Sequence, residues 1–233
     1  MPVRVTTKPG IRARRRAQKL ARILSASRAL LRHHGHENLS LREVARRAGL
    51  SPAGMYEFFD TREHLVDALA REANAALSRA LRSAVSKESD PVERMVRIGL
   101  AYIGYAQKHP TDFLLLFGRV SGRRSLIEEV PPESEYAQIR TAVADVIGVG
   151  RLGGADPRFL EALAYGFWSS MHGMAMLQLT HLAGFEADFA TAHRLVLESI
   201  ARSWQRIDWK SVLETHTNRC TPARPTEELS SSR

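Results

Sequence analysis

The chain has 233 residues, a formal net charge of +9 at pH 7 and a single cysteine, Cys220. One cysteine excludes a disulfide within the chain, which is typical of proteins from a reducing cytoplasm. No uninterrupted apolar run reaches the roughly 18 residues that a membrane-spanning helix needs, and the basic start of the chain lacks the apolar core of a secretory signal. We therefore expect a cytoplasmic globular protein with one large or two small domains and no membrane partner.

The excess positive charge lies in the first quarter of the chain. Residues 1–62 hold fourteen Lys and Arg residues against four Asp and Glu, whereas the remaining residues hold twenty against twenty-one. A strongly basic module beside a nearly neutral body is the charge pattern of a nucleic-acid-binding protein. The alternative is a generic basic tail that aids solubility, although here the charge coincides with a structural motif.

Two elements are predicted before that motif. Residues 1–13 predict a disordered basic arm, which either follows the DNA backbone or is only a loose terminus. Residues 14–34 predict a helix whose buried stripe contains Leu20, Leu24 and Leu31.

A histidine cluster, His33-His34-x-His36, follows at the end of this helix. Its spacing permits a metal site, but no carboxylate or thiolate ligand accompanies it. We therefore expect exposed loop histidines, with no metal ion and no cofactor.

Residues 40–65 carry the most informative pattern, SLREVARRAGLSPAGMYEFFDTREHL. Ser40 and Glu43 have the spacing of a capping box at the start of a short helix. Gly49 stands where that helix needs a left-handed residue to stop, and Ser51-Pro52 gives the next helix an N-cap and a proline at its first position. Two short helices joined by a tight turn form a helix-turn-helix unit, which offers its second helix to the major groove of DNA.

The rest of the chain predicts six more helices and no strand. The first runs from residue 61 to 86 and would link the helix-turn-helix rigidly to the body of the protein. The others are predicted over residues 90–108, 111–117, 134–149, 157–180 and 186–207, with loops at 118–132 and 150–156 and a disordered polar tail from 209 to 233. We therefore expect an all-α fold of about nine helices.

Residues 40–65 resemble the N-terminal domain of TetR/AcrR transcriptional regulators. The residues that carry the resemblance are Ala48-Gly49-Leu50-Ser51 in the turn, followed by Tyr56, Phe59, Arg62 and Leu65. The resemblance is specific over residues 14–65 and loose beyond them. It implies a three-helix DNA-binding domain over residues 14–65 and a larger helical domain for effector binding and dimerisation over residues 66–208.

The DNA-binding residues are expected on and around the two short helices. The resemblance implies that the Tyr56 hydroxyl and Arg62 contact the DNA backbone. Ser40 stands at a helix N-terminus and can bind a phosphate, while Arg42 can reach a guanine. The alternatives are that Tyr56 packs in the core and that the arginines form a solvated helix face. The predicted set is Ser40, Arg42, Ser51, Pro52, Ala53, Gly54, Tyr56, Glu57 and Arg62.

The second short helix lacks the Arg, Asn or Gln that usually bind base edges. Pro52 and Ala53 can touch thymine methyl groups, and Glu57 either accepts from a cytosine amino group or pairs with an arginine. Gly54 and Phe58 replace the Thr and His of many family members, which removes two phosphate contacts. We therefore hypothesise that Arg42 and DNA shape carry much of the specificity.

The C-terminal helices are expected to serve dimerisation and effector binding. The resemblance implies that the last two long helices form a four-helix bundle with a second subunit. Trp168 and His172 share a helix face and, with Gly173, resemble the Trp-His-Gly signature of one subgroup; Gly173 would permit the close approach of another helix. An ordinary packed core is the alternative to an effector pocket. The predicted pocket residues are Tyr102, Tyr105, Phe113, Phe117, Trp168, Met171, His172 and Met176.

Together these features predict a ligand-responsive homodimeric transcriptional regulator. We expect a repressor that binds a palindromic double-stranded DNA operator and is released by a small apolar effector, although the sequence leaves an activator open. The alternative is a sequence-tolerant architectural DNA-binding protein. An enzyme is not expected, because the chain lacks a nucleophile–base pattern and a glycine-rich phosphate loop.

Overall fold

The computed structural model describes residues 10–34, 39–118, 134–148 and 157–212 of the chain. Within these residues the fold is all-α, as predicted, and contains no strand. The helices are α1 (Ile11–His34), α2 (Leu41–Ala48), α3 (Pro52–Tyr56), α4 (Arg62–Val85), α5 (Pro91–Lys108), α6 (Pro110–Phe117), α7 (Glu135–Ile147), α8 (Pro157–Leu179) and α9 (Phe189–Arg206). A further helical turn spans residues 209–212.

Side-chain caps set the start of many of these helices. In the described part of the chain, each capping side chain accepts a hydrogen bond from the backbone N–H three residues further on; the caps are Ser51, Thr61, Asp90, Ser134 and Asp188. Such a bond satisfies one of the free N–H groups in the first helical turn. The helix predicted from residue 186 therefore begins at Phe189, after Asp188.

The first helix is longer than the sequence pattern indicated. It begins at Ile11 rather than at residue 14, and the Arg14 N–H donates to the Gly10 carbonyl at 3.1 Å. Several other predictions lie outside the described residues: the arm over residues 1–9, the His36 end of the histidine cluster, the loop over 119–132, the turn over 150–156 and the tail from residue 213.

The N-terminal core is formed by α1, α2, α3, the start of α4 and one residue of α6. Ile23, Val44, Met55 and Leu65 are almost completely buried in this core. Leu115 of α6 is 3% exposed and belongs to the same cluster. Because burying an aliphatic side chain of this size stabilises a protein by roughly 1.5–3 kcal/mol, Leu115 anchors α6 in the N-terminal domain.

Helix α5 lies at the centre of the C-terminal domain and packs against α4, α7, α8 and α9. Gly99 permits the approach of α9, because a Cβ atom at this position would lie 2.7 Å from a methyl carbon of Leu197. The sequence predicted such a role for Gly173, and this stays a prediction: among the described residues of one chain, the space beside Gly173 is open.

The C-terminal domain extends beyond its predicted end at residue 208. Trp209 is 8% exposed, its indole N–H donates to the Trp204 carbonyl at 2.8 Å, and its ring centroid lies 5.4 Å from that of Phe159. Residues 209–212 therefore belong to the domain and not to the predicted disordered tail.

Candidate nucleic-acid interface and aromatic cluster

The turn between α2 and α3 has the geometry that its sequence predicted. Gly49 is left-handed, with a φ of 65°, and the Leu50 N–H donates to the Ala45 carbonyl at 2.9 Å. Arg22 of α1 donates to the carbonyls of Ala48 and Gly49, the latter at 3.2 Å, and so satisfies the open end of α2. No sequence signal indicated Arg22, because this contact joins residues that are 26 positions apart.

Helix α3 presents one face to the core and the other to solvent. Met55 and Phe59 are 1% and 7% exposed, while the Ser51 hydroxyl accepts from the Gly54 N–H at 3.1 Å. Tyr56 is 50% exposed, so the alternative of a core tyrosine does not hold. The other predicted DNA-binding residues on and beside α3 are exposed or partly exposed: Ser51, Pro52, Ala53, Gly54 and Glu57.

The predicted capping box at the start of α2 does not form. Ser40 occupies the N-cap position but its side chain makes no capping hydrogen bond. Glu43 accepts from Arg46 Nε at 3.0 Å. Ser40 is exposed beside the first turn, where a phosphate contact remains a prediction.

Basic side chains flank α3 from three helices. Arg42 and Arg47 are exposed on α2, and Arg62 is the first residue of α4, with its guanidinium 3.8 Å from the Glu63 carboxylate. The Arg16 guanidinium lies over the Phe58 ring, 4.6 Å from its centroid. Phe58, which stands where many TetR/AcrR regulators have a histidine, thus positions an arginine through a cation–π contact.

Comparison with known families agrees with this geometry. Residues 23–69 match the sequence model of the family described as bacterial regulatory proteins, tetR family. Residues 95–200 match the model of the tetracyclin repressor-like C-terminal domain. The chain belongs to the TetR family. It is therefore a DNA-binding transcriptional regulator and not an enzyme.

Solved structures share the fold of this TetR-family chain. SCO4313, described as a regulatory protein, is 26% identical with a TM-score of 0.64, and the match covers 83% of this chain and 98% of that one. A protein of unknown function from Rhodococcus sp. RHA1 is 23% identical with a TM-score of 0.63, covering 88% and 98%. The TetR family regulator PfmR from Thermus thermophilus is 20% identical with a TM-score of 0.53, covering 78% and 97%. No curated protein matches this chain.

The C-terminal domain of this TetR-family protein contains a cluster of aromatic side chains around Tyr102. The Tyr102 side chain is completely buried, its hydroxyl lies 2.9 Å from His172 Nδ1, and the Trp168 indole N–H donates to that hydroxyl at 3.1 Å. Phe113 stacks on the His172 ring at a centroid distance of 5.5 Å, and Phe117 meets it edge-on at 4.9 Å. We call these five residues the aromatic cluster.

Burial keeps the polar members of the aromatic cluster uncharged. It raises the pKa of Tyr102 far above its ordinary value, and it lowers the pKa of the half-buried His172 below its ordinary value of 6.5. Both side chains are therefore neutral near pH 7. A hydrogen-bonded polar group within an apolar wall is the usual composition of a small-molecule site.

Three predicted pocket residues are not part of this cluster. Tyr105 faces the other side of α5, where its hydroxyl donates to the Ala73 carbonyl at 3.0 Å and its ring lies against His109. Its pKa is raised to about 12 by burial. The pocket prediction was therefore wrong for Tyr105, because the packing of α5 on α4 fixes its direction. Met171 and Met176 pack with the C-terminal core.

Two carboxylates lie near the aromatic cluster that the sequence did not predict as site residues. The Tyr136 hydroxyl donates to Glu161 at 2.8 Å, and the Tyr136 ring lies 5.7 Å from that of Trp168. Glu161 is 8% exposed and its other oxygen lies 2.5 Å from Arg140 Nε. Its position seven residues before Trp168, on the same face of α8, is the signal that could have found it.

The second carboxylate belongs to Glu135 at the start of α7. Burial raises its pKa, and Asn74 donates to it when its amide nitrogen faces the carboxylate. Burial is the main cause of the raised pKa of Tyr102, and the charge of Glu135 contributes to it. Nothing in the local sequence pattern around Glu135 indicated this influence.

Arg28 connects three helices between the two domains. Its Nε donates to Asp112 of α6 at 3.0 Å and its Nη2 donates to Glu72 of α4 at 2.9 Å. The Arg28 side chain is 26% exposed, so these ion pairs are partly shielded from water. Asp112 directly precedes Phe113 of the aromatic cluster, which places the domain contact and the cluster on one short helix.

A cleft of about 390 Å³ lies between the end of α1 and α6, and its lining includes Leu31, Arg32, Leu114 and Leu115. None of the helices in the described ranges is both long and apolar enough to cross a membrane. Those ranges also contain no group of three or more His, Cys, Asp and Glu residues arranged to hold a metal ion.

Proposed function

We propose that this chain is a homodimeric repressor that binds a palindromic operator and dissociates from it when a small apolar effector binds. The position of α6 carries the proposal. One side of α6 is held in the N-terminal domain by Leu115 and by the Asp112–Arg28 hydrogen bond, while Phe113 and Phe117 belong to the aromatic cluster. A ligand that displaces these rings would therefore move a helix that is bonded to the DNA-binding domain.

Exposed apolar side chains on the last two long helices support the dimer. Tyr165 of α8 is 57% exposed, and Leu195 and Val196 of α9 are 65% and 43% exposed. Large apolar side chains grouped on adjacent helices are typical of an interaction surface. We propose that α8 and α9 of one subunit pack against α8 and α9 of a second subunit across a two-fold axis and so form a four-helix bundle. The two recognition helices would then face half-sites about one DNA turn, roughly 34 Å, or a multiple of it apart.

In the proposed complex, α3 enters the major groove. Tyr56, Arg62 and Ser40 hold phosphates and fix the orientation, while Arg42 reaches a guanine edge. Arg16, which Phe58 positions beside α3, replaces part of the phosphate contact that a histidine provides in many relatives. Because the regulator must reach chromosomal DNA, we propose a cytoplasmic location.

Effector binding must then lower the affinity for the operator, and α4 and α6 are the helices that would transmit this effect. An effector shifts the protein toward the state of low DNA affinity only if it binds that state more tightly. We propose that movement of α6 is transmitted through Arg28 to α1 and α4, and that the tilt of α4 changes the distance between the two recognition helices.

Salt-dependent titration separates this proposal from an architectural role. Fluorescence anisotropy of the full-length protein would compare a duplex selected by the protein with a scrambled duplex of the same composition. We expect the selected duplex to bind about a thousandfold or more tightly, a difference that persists as salt is raised. Equal affinity for both duplexes, with only a common salt dependence, would support the architectural alternative.

A further inference from the structure

The hydrogen bonds of the aromatic cluster point to one tautomer of His172. The Trp168 indole has one N–H and no acceptor, so it must donate to the Tyr102 oxygen. Among the described residues the buried Tyr102 hydroxyl proton has one acceptor within reach, His172 Nδ1 at 2.9 Å, so we assign Nδ1 as the acceptor. A neutral imidazole that accepts at Nδ1 carries its proton on Nε2.

The proton on Nε2 has no partner within the described residues. Nδ1 and Nε2 are both bonded to Cε1 and their outward directions diverge widely, so the Nε2–H does not point at the Tyr102 hydroxyl. The ring packs against Phe113 and Phe117, whose rings also contact each other at a centroid distance of 4.8 Å, and these apolar side chains offer no conventional acceptor. The cluster therefore presents one hydrogen-bond donor beside aromatic side chains.

The carboxylates around the cluster disfavour an anionic ligand, and the Nε2–H donor itself disfavours a cationic one. Glu135 acts on the Tyr102 hydroxyl, and Glu161 is already paired with Arg140 and hydrogen-bonded to Tyr136. Among the residues that the structure describes there, an anion would meet these carboxylates and would lose its hydration without a free cation in exchange. An ammonium group would meet the Nε2–H donor, which cannot accept its protons.

We propose that the effector is an uncharged, mainly apolar molecule whose carbonyl oxygen accepts a hydrogen bond from His172 Nε2–H. A ketone, ester, lactone or amide group satisfies this chemistry. This inference rests on the proposed function, since it names the ligand class of the same regulatory site. It gives Trp168 and Tyr102 a definite task, which is to hold His172 in the donor tautomer.

The tautomer is directly measurable in the ligand-free protein. Long-range ¹H–¹⁵N correlation spectra of full-length protein labelled at histidine distinguish the two ring nitrogens, and the His172→Gln variant assigns the signals. At pH 7 we expect a neutral ring protonated at Nε2. In the Tyr102→Phe variant the Nδ1 resonance should move, because its hydrogen bond is lost. A ring protonated at Nδ1, or a charged imidazolium, would overturn the inference.

Four probes with nearly the same skeleton test the ligand class: 4-phenyl-2-butanone, butylbenzene, 4-phenyl-2-butylamine and 3-phenylpropanoate. Titrations followed at the His172 ring signals would give their dissociation constants for the DNA-free protein. We expect the ketone to bind about threefold to tenfold more tightly than the hydrocarbon, as for one neutral hydrogen bond, and more tightly than either ion. Equal affinities, preference for an ion, or no binding of any probe at millimolar concentration would contradict the proposal.

Two variants provide matched controls for the probe titrations. His172→Phe should remove the advantage of the ketone while butylbenzene still binds, with the Trp168 indole signal as the readout. His181→Gln alters an exposed histidine near the end of the same helix and should leave the preference unchanged. Because all these measurements use DNA-free protein, their failure would leave the operator titrations intact, and failure of those titrations would leave the probe preference intact.

Discussion

Arg42 and Tyr56 have different tasks in the proposed complex, and substitution separates them. Arg42 is exposed in the first turn of α2, where it can reach a base edge. A bidentate arginine–guanine contact contributes about 1–3 kcal/mol of discrimination, so Arg42→Ala should reduce the ratio of operator to scrambled-DNA affinity by tenfold or more. Fluorescence anisotropy with both duplexes measures this ratio. Arg46→Ala, which removes an arginine already paired with Glu43, is the control.

Tyr56→Phe removes only a hydroxyl from a half-exposed ring. Since phosphate contacts carry no sequence information, this variant should weaken binding to both duplexes alike, by about threefold to tenfold. If Arg42→Ala still distinguished operator from scrambled DNA as well as the unaltered protein does, Arg42 would not read a base. If Tyr56→Phe weakened binding to the operator alone, Tyr56 would not act through a phosphate.

At the scale of elements, the Arg28–Asp112 pair should couple α1 to α6 energetically. A double-mutant cycle with Arg28→Ala, Asp112→Ala and the double variant isolates their interaction from other effects of each change. For this partly shielded hydrogen-bonded pair we expect a coupling of about 1 kcal/mol in the free energy of unfolding, measured by urea denaturation. The Arg28–Glu72 cycle should give a smaller value, because the Glu72 side chain is 49% exposed. Additive effects of Arg28→Ala and Asp112→Ala would show that α6 is not held in this way.

The contact of α5 with α9 depends on the absence of a side chain at Gly99. Gly99→Ala should destabilise the protein by about 1–3 kcal/mol, since the new methyl group would overlap Leu197 in a filled core. Gly104→Ala on the same helix is the matched control: no atom of the described residues lies within 4 Å of its Cβ position, so replacing glycine in a helix should be neutral or should stabilise by up to about 1 kcal/mol. Thermal unfolding of both variants compares them, and equal melting temperatures would contradict this packing.

The same elements show what the sequence could and could not predict. Gly49, Ser51 and Met55 follow rules that act within a few residues: a left-handed stop, an N-cap and a helical period. The contacts of Arg22 with the end of α2 and of Arg28 with Asp112 join residues 26 and 84 positions apart, so they depend on how helices cross. Tyr105 was assigned to the pocket for a similar reason, since helical period alone does not say which neighbour each side of a buried helix meets.

At the scale of the whole molecule, the account requires two chains. Leu195→Glu places a charge at the most exposed apolar side chain on α9 and should convert the dimer to a folded monomer. Sedimentation velocity would measure the mass and circular dichroism the fold. The monomer should lose most operator affinity, because one recognition helix then acts alone. Ser83→Glu makes the same charge change on an exposed part of α4 and should leave the dimer intact. A Leu195→Glu variant that remains dimeric would place the interface elsewhere.

Sequencing of duplexes that the full-length protein selects from a random library tests the central claim most directly. A pair of recognition helices related by a two-fold axis predicts an enriched inverted repeat, with half-site centres separated by about 10 base pairs or a multiple of this. Titration of the enriched duplex should then saturate at two chains, or a multiple of two, per duplex. Absence of enrichment, or an enriched site without a repeat that saturates with a single chain, would contradict the account.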